Sequence, residues 1–262
     1  MLDLGDVRLH WRADGPEDGR PVVFANSLGT DLRLWDKVLA RLPAGLRVIR
    51  FDKRGHGLST APAAPYSMGA LVHDAERLIE ALGLSRVTLV GLSIGGMIAQ
   101  GLAAKRPDLV RAVVLSNTGA KIGTREMWAE RVDAVRKGGI EALADAVMQR
   151  WFSKRFRAEE TAELEGWRNM LTRTPAEGYM GCSAAIAGSD FQVTTAGLNI
   201  PALGIAGDED GSTPPDLVQE TVGLIARSRF ALIRGAGHLP CVERPDEFAR
   251  LLTDFLAETA DG

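Results

Sequence analysis

Apolar residues fall in short runs, separated by longer stretches in which apolar positions recur every three to four residues. The run RVTLVGL at 86–92 is β-branched and almost wholly apolar, as a strand buried on both faces should be. PVVFANS at 21–27, LRVIRFD at 46–52, RAVVLSN at 111–117, IPALGIAG at 200–207 and SRFALIRG at 228–235 repeat it, and 2–13 reads as a hairpin. Helix signals lie between the runs. They are clearest at the C-terminal end, where Pro245 suits a first turn and Phe248, Leu251, Leu252, Phe255 and Leu256 share one face. Alternating strands and helices predict an α/β fold: a mostly parallel central sheet covered on both faces, with an antiparallel pair at its start.

Between Gly119 and Ile200 this alternation stops and three or four helices are expected. Ile140, Leu143, Ala144, Val147 and Trp151 stand at helical spacing there, and Trp128, Trp151 and Trp167 fall in the same stretch. The division that follows is a core domain of residues 1–119 and 200–262, with an inserted helical lid, or cap, at 120–199.

A chain of 262 residues, 45% hydrophobic and 25% charged, can bury one large core, which excludes a disordered chain or a coiled coil. The net charge is −3 with the basic residues scattered, so nucleic acid is not an expected partner. No apolar stretch is long enough for a membrane span, and the start MLDLGDVRLHW lacks the plan of a signal peptide; the expected location is cytoplasmic. Two cysteines, Cys182 and Cys241, and four widely separated histidines offer neither a disulfide framework nor zinc-type spacing, so no metal is called for.

The chemistry centres on GLSIGG at 91–96, which follows the most buried-looking strand and opens an apolar helical segment. A sharp strand-to-helix turn there would raise the Ser93 hydroxyl above the sheet, with small residues on either side to permit the bend. The helix N-terminus aims backbone N–H groups and its positive dipole end at any negative charge formed beside it. A serine hydroxyl needs a base, and His238, in RGAGHLPC just past the last strand, sits where a loop at the carboxyl end of the sheet would face the serine. His10, His56 and His73 fall in a hairpin, a glycine turn and a helix and are read as structural. The base needs an orienting carboxylate. Of the three acids in GDEDGSTPP, Asp208 abuts the strand and Glu209 should face solvent, which leaves Asp210. The cysteines read as small buried hydrophobes.

Taken together, GLSIGG, FDKRGHGLS at 51–59, GDEDGSTPP at 207–215 and GAGHLPCVERPDEF at 235–248 resemble the α/β-hydrolase family in order and spacing over nearly the whole chain. Arg54, in the second of these, corresponds to a turn-organising residue of the family. NSLGTDLRLWD at 26–36 has Asn26-Ser27 where most relatives have His-Gly, and with GLSIGGMIAQ it resembles the 3-oxoadipate enol-lactonases. The resemblance implies hydrolysis of a small lactone in bacterial breakdown of aromatic acids, without a cofactor. It also implies an oxyanion hole made by the N–H groups of Leu28 and Ile94, with Asn26 and Ser27 near the substrate. Such a lactone carries a free carboxylate, which under an apolar lid requires a cation. In MWAERVDAVRKGG, Trp128, Val132 and Val135 form an apolar stripe with Arg131 at its edge, so Arg131 is the candidate clamp and Trp128 a wall of the same site. The same triad would also serve a carboxylesterase, a C–C hydrolase of meta-cleavage products or a perhydrolase. The fold would equally suit a ligand-binding protein of very slow turnover.

Overall fold

The computed structural model describes residues 1–260. Its strands are β1 (Leu2–Asp3), β2 (Arg8–Leu9), β3 (Trp11–Asp14), β4 (Arg20–Ala25), β5 (Leu46–Phe51), β6 (Val87–Leu92), β7 (Val110–Ser116), β8 (Ala202–Gly207) and β9 (Ser228–Ile233). The helices up to the middle of the chain are α1 (Asp36–Leu39), α2 (Met68–Ala81), α3 (Ile94–Lys105), α4 (Arg125–Gly138), α5 (Ala144–Trp151) and α6 (Lys154–Glu159). They are followed by α7 (Thr161–Thr172), α8 (Ala176–Ala187), α9 (Gln192–Ala196), α10 (Pro215–Gly223), α11 (Pro240–Glu243) and α12 (Pro245–Glu258).

Seven strands form one sheet in the order β3-β5-β4-β6-β7-β8-β9, parallel throughout except for β3, which runs antiparallel to β5. After β4 the chain moves to one side of the sheet, and from β6 onward it moves to the other. Connections that diverge in this way leave a crevice at the carboxyl ends of the two strands, the place where open α/β sheets bind ligands. Ala25 pairs with Gly91 across β4 and β6, so the segments that start at Asn26 and Ser93 leave the sheet side by side. β6 is buried at every position, as its unbroken apolar run requires, and α3, which lies across β4, β6 and β7, is buried from Ile94 to Ala103.

The start of the chain differs in detail from the expected hairpin on the main sheet. β1 and β2 form a separate two-stranded sheet, and β3 alone supplies the antiparallel edge. At His10 the chain changes partners: its N–H donates to Ser59 Oγ and its Nδ1 lies 2.7 Å from Asp52 Oδ2, which redirects the strand onto β5. The stretch between β7 and β8 is helical, but it holds six helices, α4–α9, and a 3-10 turn at Ile140–Leu143 rather than three or four. Stop and start signals divide it: Gly139 at φ 67° ends α4, the Ser153 hydroxyl caps α6, and Pro175 precedes α8. Among the described residues no helix is long and apolar enough to cross a membrane.

Two glycines make the turn after β6 possible. A Cβ on Gly91 would lie 2.2 Å from Gly95 O, and one on Gly95 would lie 2.1 Å from Ala25 O, in both cases against backbone that cannot swing aside. Gly95→Val is therefore expected to destabilise by about 3 kcal/mol or more through overpacking. In thermal unfolding this is a fall in Tm of roughly 6–10 °C for a chain of this size. An unchanged Tm would mean that the turn is not as tightly enclosed as its backbone contacts indicate.

Candidate active site

Ser93 occupies the tip of the turn at φ 58°, ψ −120°, a conformation that a non-glycine residue holds at about 1–3 kcal/mol of strain. Hydrogen bonds on both sides of the residue maintain it. Its N–H donates to Ser116 O on β7, and its carbonyl accepts from Gly96 N–H, Met97 N–H and the Thr118 hydroxyl at 2.9, 3.2 and 2.7 Å. The residue is only 8% exposed, and it lines a cavity together with Ser27, Leu28, Trp128, Arg131 and His238.

The loops after β8 and β9 bring Asp210 and His238 to this end of the sheet, where His238 Nδ1 lies 2.8 Å from Asp210 Oδ2. A carboxylate can only accept, so Nδ1 carries a proton, and in the neutral ring Nε2 has the lone pair. Asp210 is held on all its acceptor sites. Oδ1 accepts from the N–H groups of Ser212 and Thr213 at 2.7 and 3.1 Å, and Oδ2 also accepts from Asn117 Nδ2 at 2.9 Å and the Thr213 hydroxyl at 2.7 Å. Burial works against its charge, but the His238 ring, the Asn117 amide and the Ser212 N–H outweigh it and hold the carboxyl below the usual range. The neighbouring acids do other work: Asp208 accepts from Gly235 N–H and exposed Glu209 from Lys154 N–H. Backbone bonds from Gly211 N–H to Arg150 O and from His238 N–H to Trp151 O join both loops to the end of α5.

His238 Nε2 points toward the Ser27 hydroxyl, 3.5 Å away, and among the described residues Ser93 Oγ makes no hydrogen bond. The N–H groups of Leu28 and Ile94, one on each side of the crevice, donate to no other group among the described residues. Both are free to bind a developing oxyanion.

Asn26 is a correction. It does not reach the cavity: its Nδ2 donates to Phe51 O at 2.8 Å and its Oδ1 accepts from Trp35 Nε1 at 2.8 Å, so both ends of the amide shape the loop and none is left for substrate. Arg54 forms a paired bond to buried Asp74 and reaches Asp6, which ties its turn to α2. His56 accepts from Gly29 N–H at 2.9 Å and is kept neutral by burial and by nearby Lys53, consistent with a structural role. Cys182 and Cys241 are both fully buried, and burial pushes their thiols up, the former to about 12.

Opposite Ser93 and His238, α4 and α5 each bring a cation to the cavity. The Arg131 guanidinium lies 4.7 Å from the centroid of the Trp128 ring, and Arg150 faces it from α5. Desolvation, and then the charge of Arg131, lower the Arg150 guanidinium below its ordinary value. Tyr179, fully buried on α8, completes this wall, and burial holds its phenol protonated. Arg150, Tyr179, Asn117 and Thr213 were not among the residues singled out from the sequence. Only Asn117 had a readable signal, an asparagine at the carboxyl end of a central strand, where φ 45° suits that residue type.

A family model of the α/β-hydrolase fold matches residues 20–245. The chain belongs to the α/β-hydrolase fold family. It is 34% identical over 247 residues to 3-oxoadipate enol-lactonase 2 of Acinetobacter baylyi, an alignment that covers 94% of this chain and 92% of that one. Among solved structures, the enol-lactonase of Burkholderia xenovorans LB400 is 37% identical with a TM-score of 0.93, covering 97% and 98% of the two chains. A thermophilic esterase of Thermogutta terrifontis reaches a TM-score of 0.92 at 27% identity, covering 98% and 95%. This hydrolase therefore shares its backbone with enzymes of more than one specificity, and only the lining of its cavity can distinguish among them.

Proposed function

We propose that this hydrolase opens 3-oxoadipate enol-lactone to 3-oxoadipate, with Ser93 as nucleophile, His238 as base and Asp210 as its orienting carboxylate. The reading is carried by the two guanidiniums of Arg131 and Arg150, which share one cavity with Ser93. Two like charges held close in a partly desolvated site stabilise an anion placed between them, and an arginine fork matches a carboxylate with two charge-assisted bonds. A neutral ester would leave both cations uncompensated. The likeness to enol-lactonases supports the same substrate class.

In this mechanism the substrate carboxylate lies against Arg131 and Arg150, with Trp128 as a wall, and residues 120–199 act as the cap that carries all three. Ser93 Oγ attacks the lactone carbonyl while its proton passes to His238 Nε2, and the Leu28 and Ile94 N–H groups hold the oxyanion. Collapse breaks the ring C–O bond, and the leaving oxygen takes the proton from His238 as an enol. The enol tautomerises to the ketone while still tethered, so the ring does not re-close. Water, deprotonated by His238, then attacks the acyl-enzyme, and Ser93 is released with its proton restored. The Ser27 hydroxyl, 3.5 Å from Nε2, stands where it can hold that water or the enol.

The test is steady-state hydrolysis of freshly generated lactone, followed by loss of ultraviolet absorbance, beside a neutral aryl ester. Wild type should reach a kcat/KM of about 10⁴ M⁻¹s⁻¹ or better on the lactone. Arg131→Ala and Arg150→Ala should each lose roughly tenfold to a hundredfold on the lactone and less than about threefold on the neutral ester. Equal losses on both substrates would remove the carboxylate-clamp reading. Activity on aryl esters alone would make the protein a carboxylesterase, and turnover of acetate with peroxide would make it a perhydrolase.

A further inference from the structure

The loop after β4 rests on a buried lysine. Lys53, in the turn that follows β5, is fully enclosed, and its Nζ donates to Ser27 O at 2.5 Å and Thr30 O at 3.3 Å. The same Ser27 carbonyl also accepts from the Thr30 hydroxyl at 2.9 Å and the Thr30 N–H at 3.3 Å. Ser27 C=O and Leu28 N–H belong to one peptide plane and point in opposite directions along it. Donors that converge on the carbonyl from below therefore aim the N–H upward, toward the cavity that Leu28 lines. The next peptide is anchored from the same turn, through the bond from Gly29 N–H to His56 Nε2.

We propose that Lys53 is a positioning residue for the reaction: it fixes the Ser27–Leu28 peptide and, by placing a positive charge on the carbonyl, strengthens the Leu28 N–H as an oxyanion donor. The proposal rests on the reading of Leu28 N–H as half of the oxyanion hole. Its physical basis is hydrogen-bond cooperativity, because a peptide whose oxygen accepts a charged donor carries more positive charge on its N–H, and low local dielectric enlarges the effect. A donor held in place before the reaction also needs no reorganisation as charge develops.

The titratable and charged groups facing Lys53 are Asp52 and His56 of its own turn, Asp31 of the β4 loop and Cys182 of α8. Burial lowers the ammonium to about 8, against the pull of Asp52 and Asp31. The charged form is therefore present below that pH and is lost as pH rises through it, and the oxyanion donor should weaken in step.

Hydrolysis of p-nitrophenyl acetate tests this without reference to the lactone. In Lys53→Met, kcat should fall about 10- to 50-fold with KM within about threefold, since an interaction made only in the transition state has gone. Wild-type kcat should decline above a pH near 8, and the variant should lose that alkaline limb. Thr30→Val, which removes a neutral donor to the same carbonyl and keeps the lysine, should lose roughly threefold and retain the limb. A folded Lys53→Met with wild-type kcat overturns the proposal. So does an alkaline profile that is the same in Lys53→Met as in wild type or, should Lys53→Met not fold, the same in Lys53→Gln, which keeps a neutral donor and removes the charge. Ser93→Ala on the same ester separates the two readings. If it is inactive while Lys53→Met is unimpaired, only the role of Lys53 fails; if it remains active, the nucleophile and the oxyanion hole fail with it.

Discussion

Ser93→Ala is expected to lower kcat on the enol-lactone by at least about 10⁴-fold, with Tm unchanged or slightly raised. Losses of this order follow when a nucleophile whose partners act as a unit is removed, leaving only binding and the oxyanion donors to act on the substrate. The expectation of unchanged stability has its own reason. The Ser93 hydroxyl makes no hydrogen bond among the described residues, and the strained φ of 58° is imposed by bonds to the backbone of residue 93, which alanine retains. Kinetics with a purified variant of verified Tm decide the matter. Residual activity within about a hundredfold of wild type would show that Ser93 is not the nucleophile.

Asp210→Asn is expected to lower kcat by about 10³- to 10⁴-fold. The two oxygens of Asp210 face different demands, and one amide cannot meet both. With its oxygen at the Oδ1 position, the amide accepts from Ser212 and Thr213 N–H as before, but its NH₂ then faces Asn117 Nδ2 and His238 Nδ1. Two donors oppose each other at Asn117, and His238 must move its proton to Nε2, which removes the lone pair required to deprotonate Ser93. Turned the other way, the NH₂ opposes two backbone N–H groups. Steady-state kinetics should show the fall in kcat with KM within about threefold. A loss smaller than about tenfold would mean that another group orients His238.

The carboxylate also sets a pH limit. Because the folded environment holds Asp210 below the usual carboxylate range, its charge persists as pH falls through the ordinary range and is lost only below it. Asn117→Ala removes one of the bonds responsible. It should move the loss of Asp210 function to higher pH, visible as a shift of the acid limb of kcat/KM toward neutrality.

Much of this protein could be read from residue order because the information was local. The run at 87–92 reads as a buried strand, since Val87, Leu89, Val90 and Leu92 crowd both of its faces with apolar side chains. The turn at Ser93 was legible because Gly91 and Gly95 flank a position that requires their missing side chains. Asp210 could be separated from Asp208 and Glu209 by its distance from the strand. The edge of the fold was less legible: β3 leaves the hairpin because of bonds to Ser59 and Asp52, about forty to fifty residues away, and no local pattern records such a choice.

The residues that line the cavity were the hardest to find. Arg131 was recognisable as a cation beside an apolar stripe, but Arg150 looks in sequence like any arginine near the end of a surface helix. It becomes a cavity residue only because α5 ends where its backbone binds the loops of Asp210 and His238. Nothing in the sequence sets Lys53 apart; β4 and β5 bring the carbonyl of Ser27 within reach of its Nζ. Asn26 erred the other way: its amide was satisfied by Phe51 and Trp35 rather than by substrate. Periodicity and turn chemistry were thus sufficient for the alternation of parallel strands with helices and for the glycine turn at Ser93, because these depend on residues close together in the chain. Which polar groups meet in the cavity, and which are already satisfied beneath it, depends on contacts between distant segments, and those exist only once the sheet has brought its strand ends together.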